Sequence, residues 1–479
     1  MPEKNSVLVV VFDGLQPAQI TEELMPNLAE FARTGVTFAN HHPVFPTVTR
    51  VNASSLVTGC RPGQHGLAGN TYLCRDYDPN QVIPAMEPTL QAVVDATGRA
   101  LLAPTLADRL HAHGMEYVAI GTGTSGNAYV HNPNAATSGG ATIHPQFTLP
   151  RPLHAELAEH FGEWPAEILP NTARLMHGRR ILTEYVLPEI NPAVALLWLS
   201  EPDKTQHEDG VGSGRAPQAL READAEFGEI LSWLERNGRS ECTDILIASD
   251  HGYSTITEAI PIESMMRESG FPTVDQPGGV AVAGNGGSAL FYVHENDHDT
   301  AESVAQWLTN HEWCGSLFAS ERVGQPSGTL PASLIGCDGP RSPDLSMSFL
   351  WTSVPNGVGY EGHAYSTGGK AGQGQHGSMS RHEMQNVGLA KGPSLRAGTV
   401  VETPSGNIDL APTILKLLGV DDVVPAMDGR VLDEALADNP KSSAQAWVTT
   451  HEAQSGNYRQ RVQISHVGAA QYIDWGNRV

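Results

Sequence analysis

The chain has 479 residues, 40% of them hydrophobic and 17% charged, which fits a large globular protein of one or two domains and excludes long disorder. Its formal charge of −24 excludes a surface that tracks a nucleic-acid polymer, but not small anionic substrates, which feel the local field of a site. Five cysteines (Cys60, Cys74, Cys242, Cys314 and Cys337) form no CxxC pair or compact disulfide framework and are read as buried free thiols.

The N-terminal run SVLVVVF is too short for a signal-peptide core. No stretch approaches the roughly 18 apolar residues that span a bilayer, so a cytoplasmic protein without membrane contact is expected. The same run reads as a buried parallel strand over residues 6–12, ending at Asp13-Gly14. A helix is predicted over 25–34. The segment Pro46-Thr47-Val48-Thr49-Arg50 then opens a helical stretch that ends in Thr58-Gly59. Cys60-Arg61-Pro62-Gly63-Gln64 is read as a turn.

A helix over 106–113 precedes a strand over 116–120, which runs into the Gly-Thr-rich segment GTGTSGNAY. Residues 125–170 are irregular and are expected to cover the site. Strand 193–199 leads into Ser200-Glu201-Pro202-Asp203, and a helix is predicted over 216–237. Strand 244–248 leads into Ser249-Asp250-His251-Gly252. Residues 255–365 change character: Gly-Pro-rich stretches surround short strand-like pieces and one helix near 300–310. They are read as an inserted cap subdomain between core segments 1–254 and 366–479. The strand-helix rhythm returns with NVGLAKGP and a helix over 409–418.

Strands alternating with helices predict an α/β fold, a mostly parallel central sheet with helices on both faces. Such sheets bind ligands beyond the carboxyl ends of their strands, where Asp13, Asp203, Asp250 and His251 all fall. On a helix, Asp203 and His207 would share one face. Gly252 permits the irregular backbone that lets adjacent Asp250 and His251 reach one ion. His376, among glycines in Gly-Gln-Gly-Gln-His-Gly, is expected to have an exposed imidazole at a close backbone approach. Carboxylates and imidazoles together suit Zn²⁺, with Mn²⁺ or Fe²⁺ less favoured. A threonine hydroxyl at a helix N-terminus is an N-cap by default, but beside metals it is placed to be a nucleophile.

The segments VVVFDG, PTVTRVNASSLVTG, RPGQHGLAGN, SEPDKTQH, ASDHGY and QHGSMSRHEMQNVGLAKGP together resemble the alkaline phosphatase superfamily, in its nucleotide pyrophosphatase/phosphodiesterase branch. They occur in the family's order along almost the whole chain. The resemblance implies two zinc ions per chain. One would be held by Asp203, His207 and His376, the other by Asp13, Asp250, His251 and the nucleophile. It selects Thr49, not Thr47, as that nucleophile and assigns Asn70 to a phosphoryl oxygen, joined by the Thr49 backbone N–H. The implied activity is hydrolysis of a phosphodiester or nucleotide pyrophosphate through a covalent phospho-threonine.

Arg50 departs from the pattern, since family members that cleave nucleotides carry Phe there. A guanidinium offers a fork for a carboxylate or second phosphate, so Arg50 is expected to bind substrate. The alternative activity is a phosphonate (C–P) hydrolase or phosphomonoesterase at the same di-zinc site, acting on a small phosphate ester or phosphonate. Arg381 and Lys391 are read as surface residues. The sequence leaves oligomeric state open.

Overall fold

The computed structural model describes residues 5–420, 426–439 and 445–479. Nine strands form the central sheet: β1 (Ser6–Phe12), β2 (Val36–Phe38), β3 (Tyr117–Gly121), β4 (Ala141–His144), β5 (Phe147–Leu149), β6 (Val194–Leu199), β7 (Thr243–Ala248), β8 (Gly388–Lys391) and β9 (Thr399–Val401). Their order is β9-β2-β8-β7-β1-β6-β3-β4-β5. β7, β1, β6, β3 and β4 run parallel, while β8 and β5 are antiparallel to their neighbours. The α/β class and the mostly parallel sheet are as expected.

The unbroken apolar run of β1 follows from burial on both faces. Val7, Val9 and Val11 face one core cluster, whereas Leu8, Val10 and Phe12 face the other. Helix α1 (Pro26–Thr34) and the long helix Ala216–Arg236 cover the second face through Leu28, Phe31, Leu220, Phe227 and Leu234. Helix α2 (Thr49–Thr58) covers the first through Ala53, Leu56 and Val57. The expected helices are present with ends shifted by one or two residues, as at Leu106–Ala112, His298–Thr309 and Leu410–Leu417. Residues 60–64, expected as a turn, run into a short helix over Pro62–His65.

Residues 255–365 carry a separate five-stranded sheet, built from Val280–Asn285, Ser288–Val293, Leu345–Phe349, Cys314–Ala319 and Leu330–Pro331, with its own apolar cluster. The C-terminal residues add a three-stranded antiparallel sheet (Ala446–Ser455, Tyr458–Val467, Ala470–Arg478) that the sequence reading did not separate from the core. It docks on the inserted segment: the Gln460 amide accepts from Leu317 N–H at 3.0 Å, and Trp351 Nε1 donates to Gly476 O at 2.7 Å. All five cysteines are buried and outside any disulfide. Among the described residues, no helix is long and apolar enough to cross a membrane.

Candidate active site

Three adjacent parallel strands bring the acidic segments together. Val11 pairs with Ala248 and Phe12 with Leu199, so β7, β1 and β6 end level with one another. Past those ends, Asp203 N–H donates to Asp13 O at 3.0 Å, and Gly14 N–H donates to Asp250 Oδ1 at 3.0 Å. A helix over Asp203–Asp209, α3, then sets Asp203 and His207 one turn apart.

Two groups of donor atoms converge there. In the first, Asp203 Oδ1 lies 3.3 Å from His207 Nε2 and 3.5 Å from His376 Nε2, and the two nitrogens are 3.1 Å apart. In the second, His251 Nε2 lies 3.1 Å from Asp250 Oδ2, 3.7 Å from Asp13 Oδ1 and 3.4 Å from Thr49 Oγ1. The His251 and His376 rings stack at 3.6 Å and join the groups.

The donor set fits metal ions on three grounds. First, every imidazole turns Nδ1 to a backbone carbonyl: His207 to Gly374 (3.1 Å), His251 to Gly252 (2.9 Å) and His376 to Thr47 (2.7 Å). A carbonyl only accepts, so each Nδ1 carries a ring proton, and in the neutral ring Nε2 is the atom left to ligate. The Nε2 atoms of His207 and His376, 3.1 Å apart, need a proton or a metal ion between them.

Second, Asp13 Oδ1 and Asp250 Oδ2 are buried without a hydrogen-bond donor. Their other oxygens are held by Trp198 Nε1 (2.8 Å) and Gly14 N–H (3.0 Å). A buried bare carboxylate oxygen is costly. Accordingly, burial, with Asp250 and Asp203 close by, pushes the Asp13 carboxyl well above its usual range. Third, ligands 2.0–2.1 Å from a tetrahedral ion lie about 3.3 Å apart, the spacing found in the first group.

Thr49 is the first residue of α2, not its cap: the cap position is Val48, and no side chain caps the helix. The hydroxyl is thereby free to face His251. Thr47 is committed to the scaffold, donating to Glu383 Oε2 at 2.9 Å and accepting from Gly377 N–H at 2.9 Å. Asn70 Oδ1 accepts the Arg50 backbone N–H at 3.1 Å. His376 corrects one expectation. Its backbone approach is close (a Cβ on Gly377 would sit 2.1 Å from Asn285 O), but the imidazole is buried, 6% exposed, against His251.

A cleft of about 480 Å³ opens over the two groups, lined in part by Thr49, Arg50, Asn70, Thr124 and Lys204. Residues 125–170, expected to be irregular, instead carry helices Ser125–His131 and Pro152–Phe161 and the strands β4 and β5. Glu167 and Leu169 near their end also line the cleft, and no lining residue comes from 255–365. Lys204 Nζ bonds Glu167 at 2.6 Å at the rim. Arg381 and Lys391 are exposed and lie outside the cleft, Arg381 over the rings of Trp351 and Trp475.

Sequence reasoning missed two residues that hold the candidate ligands in place. Trp198 donates to Asp13, and the Tyr253 hydroxyl donates to Asp203 Oδ1 at 2.9 Å. Tyr253 directly follows the quoted Asp250-His251-Gly252. Trp198 had one available signal, a polar ring nitrogen at the end of an otherwise aliphatic strand.

A profile of the family described as "Type I phosphodiesterase / nucleotide pyrophosphatase" matches residues 7–372. Similar curated proteins include a venom phosphodiesterase of Macrovipera lebetinus, 24% identical over 53% of this chain and 26% of its own length. Another is a bis(5'-adenosyl)-triphosphatase of Xenopus laevis, 28% identical over 51% of this chain and 46% of its own. The chain therefore spans less than half the length of these relatives. Among solved structures, murine ectonucleotide pyrophosphatase/phosphodiesterase 5 superposes with a TM-score of 0.61 at 17% identity, covering 87% of this chain and 96% of that one. An inactive form of that protein, in complex with AMP, superposes equally well over 88% of this chain and 96% of its own. At such identity the likeness is one of fold.

Proposed function

The chain belongs to the type I phosphodiesterase/nucleotide pyrophosphatase family of the alkaline phosphatase superfamily, and from that premise we propose that it hydrolyses phosphodiesters or nucleotide pyrophosphates through a covalent phospho-threonine at Thr49. The observation carrying this reading is the convergence of Asp13 Oδ1, Asp250 Oδ2 and the Nε2 atoms of three histidines in two groups, with the Thr49 hydroxyl 3.4 Å from His251 Nε2. Asp203, His207 and His376 would hold one ion, and Asp13, Asp250, His251 and Thr49 the other. Zinc is the proposed metal on the chemistry of these donors.

When bound, such ions lower the pKa of a neighbouring hydroxyl and neutralise charge on a phosphoryl group. The chain's own residues do the rest. As first residue of α2, Thr49 places Oγ1 at the cleft, with its own backbone N–H at the helix N-terminus to favour an anion. Attack of Oγ1 forms a P–O bond while the bond to the leaving oxygen breaks, and the hydroxyl proton is lost. Water then cleaves the Thr49–phosphoryl bond and restores the hydroxyl. Asn70 turns Oδ1 to Arg50 N–H, which leaves its amide NH₂ for a non-bridging phosphoryl oxygen. Trp198 and Tyr253 keep Asp13 and Asp203 oriented.

The AMP complex of the murine neighbour supports small nucleotide-type substrates for this reading. The cleft's size also suits a small ester and not a polymer. Zinc-loaded protein should turn over bis-p-nitrophenyl phosphate in preference to p-nitrophenyl phosphate. A monoester preference of more than about tenfold in kcat/KM, 1.4 kcal/mol at the transition state, would replace the reading with a phosphomonoesterase. Release of phosphate from phosphonoacetate above either ester would replace it with a C–P hydrolase.

A further inference from the structure

The cleft holds two buried polar atoms that the proposed chemistry does not use. Arg50 Nε and Thr124 Oγ1 are both buried without a hydrogen-bond partner, and both residues line the cleft beside Thr49. Arg50 makes no ion pair among the described residues; its guanidinium meets only the Met86 thioether, with Nη2 at 3.1 Å from Sδ. Other buried or half-buried arginines are matched to carboxylates: Arg341 to Asp76 at 2.7 Å, Arg430 to Glu434 at 2.5 Å. A guanidinium keeps its charge at neutral pH. Asp13 and Asp203 attract that of Arg50 across the cleft without pairing with it, and both are candidate metal ligands, so ions held there would leave the guanidinium short of a counter-ion.

Thr124 reaches the same wall from the other side. It ends the Gly-Thr-rich segment after β3, at the sheet's ligand-binding edge. Gly126, two residues on, packs so tightly on Ala85–Met86 that an added Cβ would lie 3.0 Å from Met86 Cα. Met86 thus joins the Arg50 wall to the Thr124 wall. The unpartnered Nε and the unpartnered hydroxyl thus belong to two residues that line one cleft with the candidate nucleophile.

We propose that Arg50 and Thr124 form a second oxyanion subsite, so that the substrate carries a carboxylate or a second phosphate close to the phosphorus attacked by Thr49. The proposal rests on the phosphoester-hydrolase reading and specifies its substrate class: anionic esters, selected by charge. Arg50 would supply a two-pronged contact and Thr124 a single hydroxyl donor.

The test uses three p-nitrophenyl phosphodiesters whose second arm is propyl, 2-carboxyethyl or 2-phosphoethyl, given to the zinc-loaded full chain. The expected result is a preference for at least one anionic arm over propyl of about ten- to a hundredfold in kcat/KM, as for a hydrogen bond to a charged group. Which anionic arm is favoured identifies the oxyanion. Arg50→Met should bring the anionic-to-propyl ratio close to one, and Thr124→Val, which keeps the side-chain volume, should lower it severalfold. Equal turnover of all three esters by the unaltered protein, or a ratio that survives both substitutions, overturns the subsite and leaves the hydrolase reading standing. No turnover of any of the three overturns that reading, and the subsite with it.

Discussion

Two buried aspartates in different regions of the molecule show how scaffold differs from site. Asp409, beside the C-terminal sheet, is fully buried with both oxygens satisfied: Oδ1 by Arg430 N–H at 2.8 Å, and Oδ2 by Gly406 N–H and the Tyr472 hydroxyl, each at 2.8 Å. Asp13, at the end of β1, is also buried, yet only Oδ2 has a donor and Oδ1 faces other acceptors. Asp250 repeats that pattern. A bare oxygen alone does not mark a site, since Asp244 Oδ2 also lacks a donor; what sets Asp13 and Asp250 apart is that their bare oxygens converge on one imidazole nitrogen, His251 Nε2, at 3.7 and 3.1 Å. The saturated acid ties its surroundings together, and the converging acids form the candidate cation site.

The largest effect expected from this contrast is on Thr49, whose hydroxyl lies 3.4 Å from His251 Nε2 among the acceptors. Thr49→Ala should lower kcat by about a thousandfold or more while metal content stays near that of the unaltered chain. Retained turnover would remove Thr49 from the nucleophile's place. Metal removal comes next. A chelator should abolish activity and lower the unfolding free energy, because each ion present at a thousandfold over its Kd stabilises by about 4 kcal/mol. Differential scanning calorimetry with and without zinc reads that loss.

The contrast itself breaks or holds on a pair of isosteric changes made in metal-free protein. Asp409→Asn should destabilise by about 1–3 kcal/mol, since an NH₂ group would then face existing donors. Asp13→Asn should stabilise metal-free protein, because it removes charge from a cluster in which Asp250 and Asp203 already raise the Asp13 pKa. Urea titrations with the same sign for both variants would erase the distinction. The smallest effect belongs to the exposed rim. Glu167→Gln breaks the contact to Lys204, and an exposed ion pair is worth about 0–1 kcal/mol, so KM should change less than about fivefold.

Much of this was legible in the sequence because it depends on local pattern. Apolar runs that stop at an acid locate strand ends, and a parallel sheet gathers its strand ends on one edge, so Asp13, Asp203, Asp250 and His251 could be grouped before any coordinates. The same reasoning could not see His376 as buried: its glycines announce a close approach, but the partner that closes over the ring, His251, lies far away in sequence. Trp198 on Asp13 and Tyr253 on Asp203 are long-range side-chain bonds, which leave no periodic trace. The division of ligands between two ions came from the family resemblance, not from spacing. Thr124 went unnoticed because an unsatisfied hydroxyl is defined by what fails to surround it, and only a three-dimensional arrangement shows that.

The central claim, that the bare acceptors at the ends of β1, β6 and β7 hold two ions astride Thr49, is tested most directly by anomalous diffraction from zinc-soaked crystals. The account predicts two peaks per chain. One should lie about 2.0–2.2 Å from Asp203, His207 and His376, and the other at the same range from Asp13, Asp250 and His251. A map with no peak among these side chains, or with zinc held by a different set of residues, would contradict it.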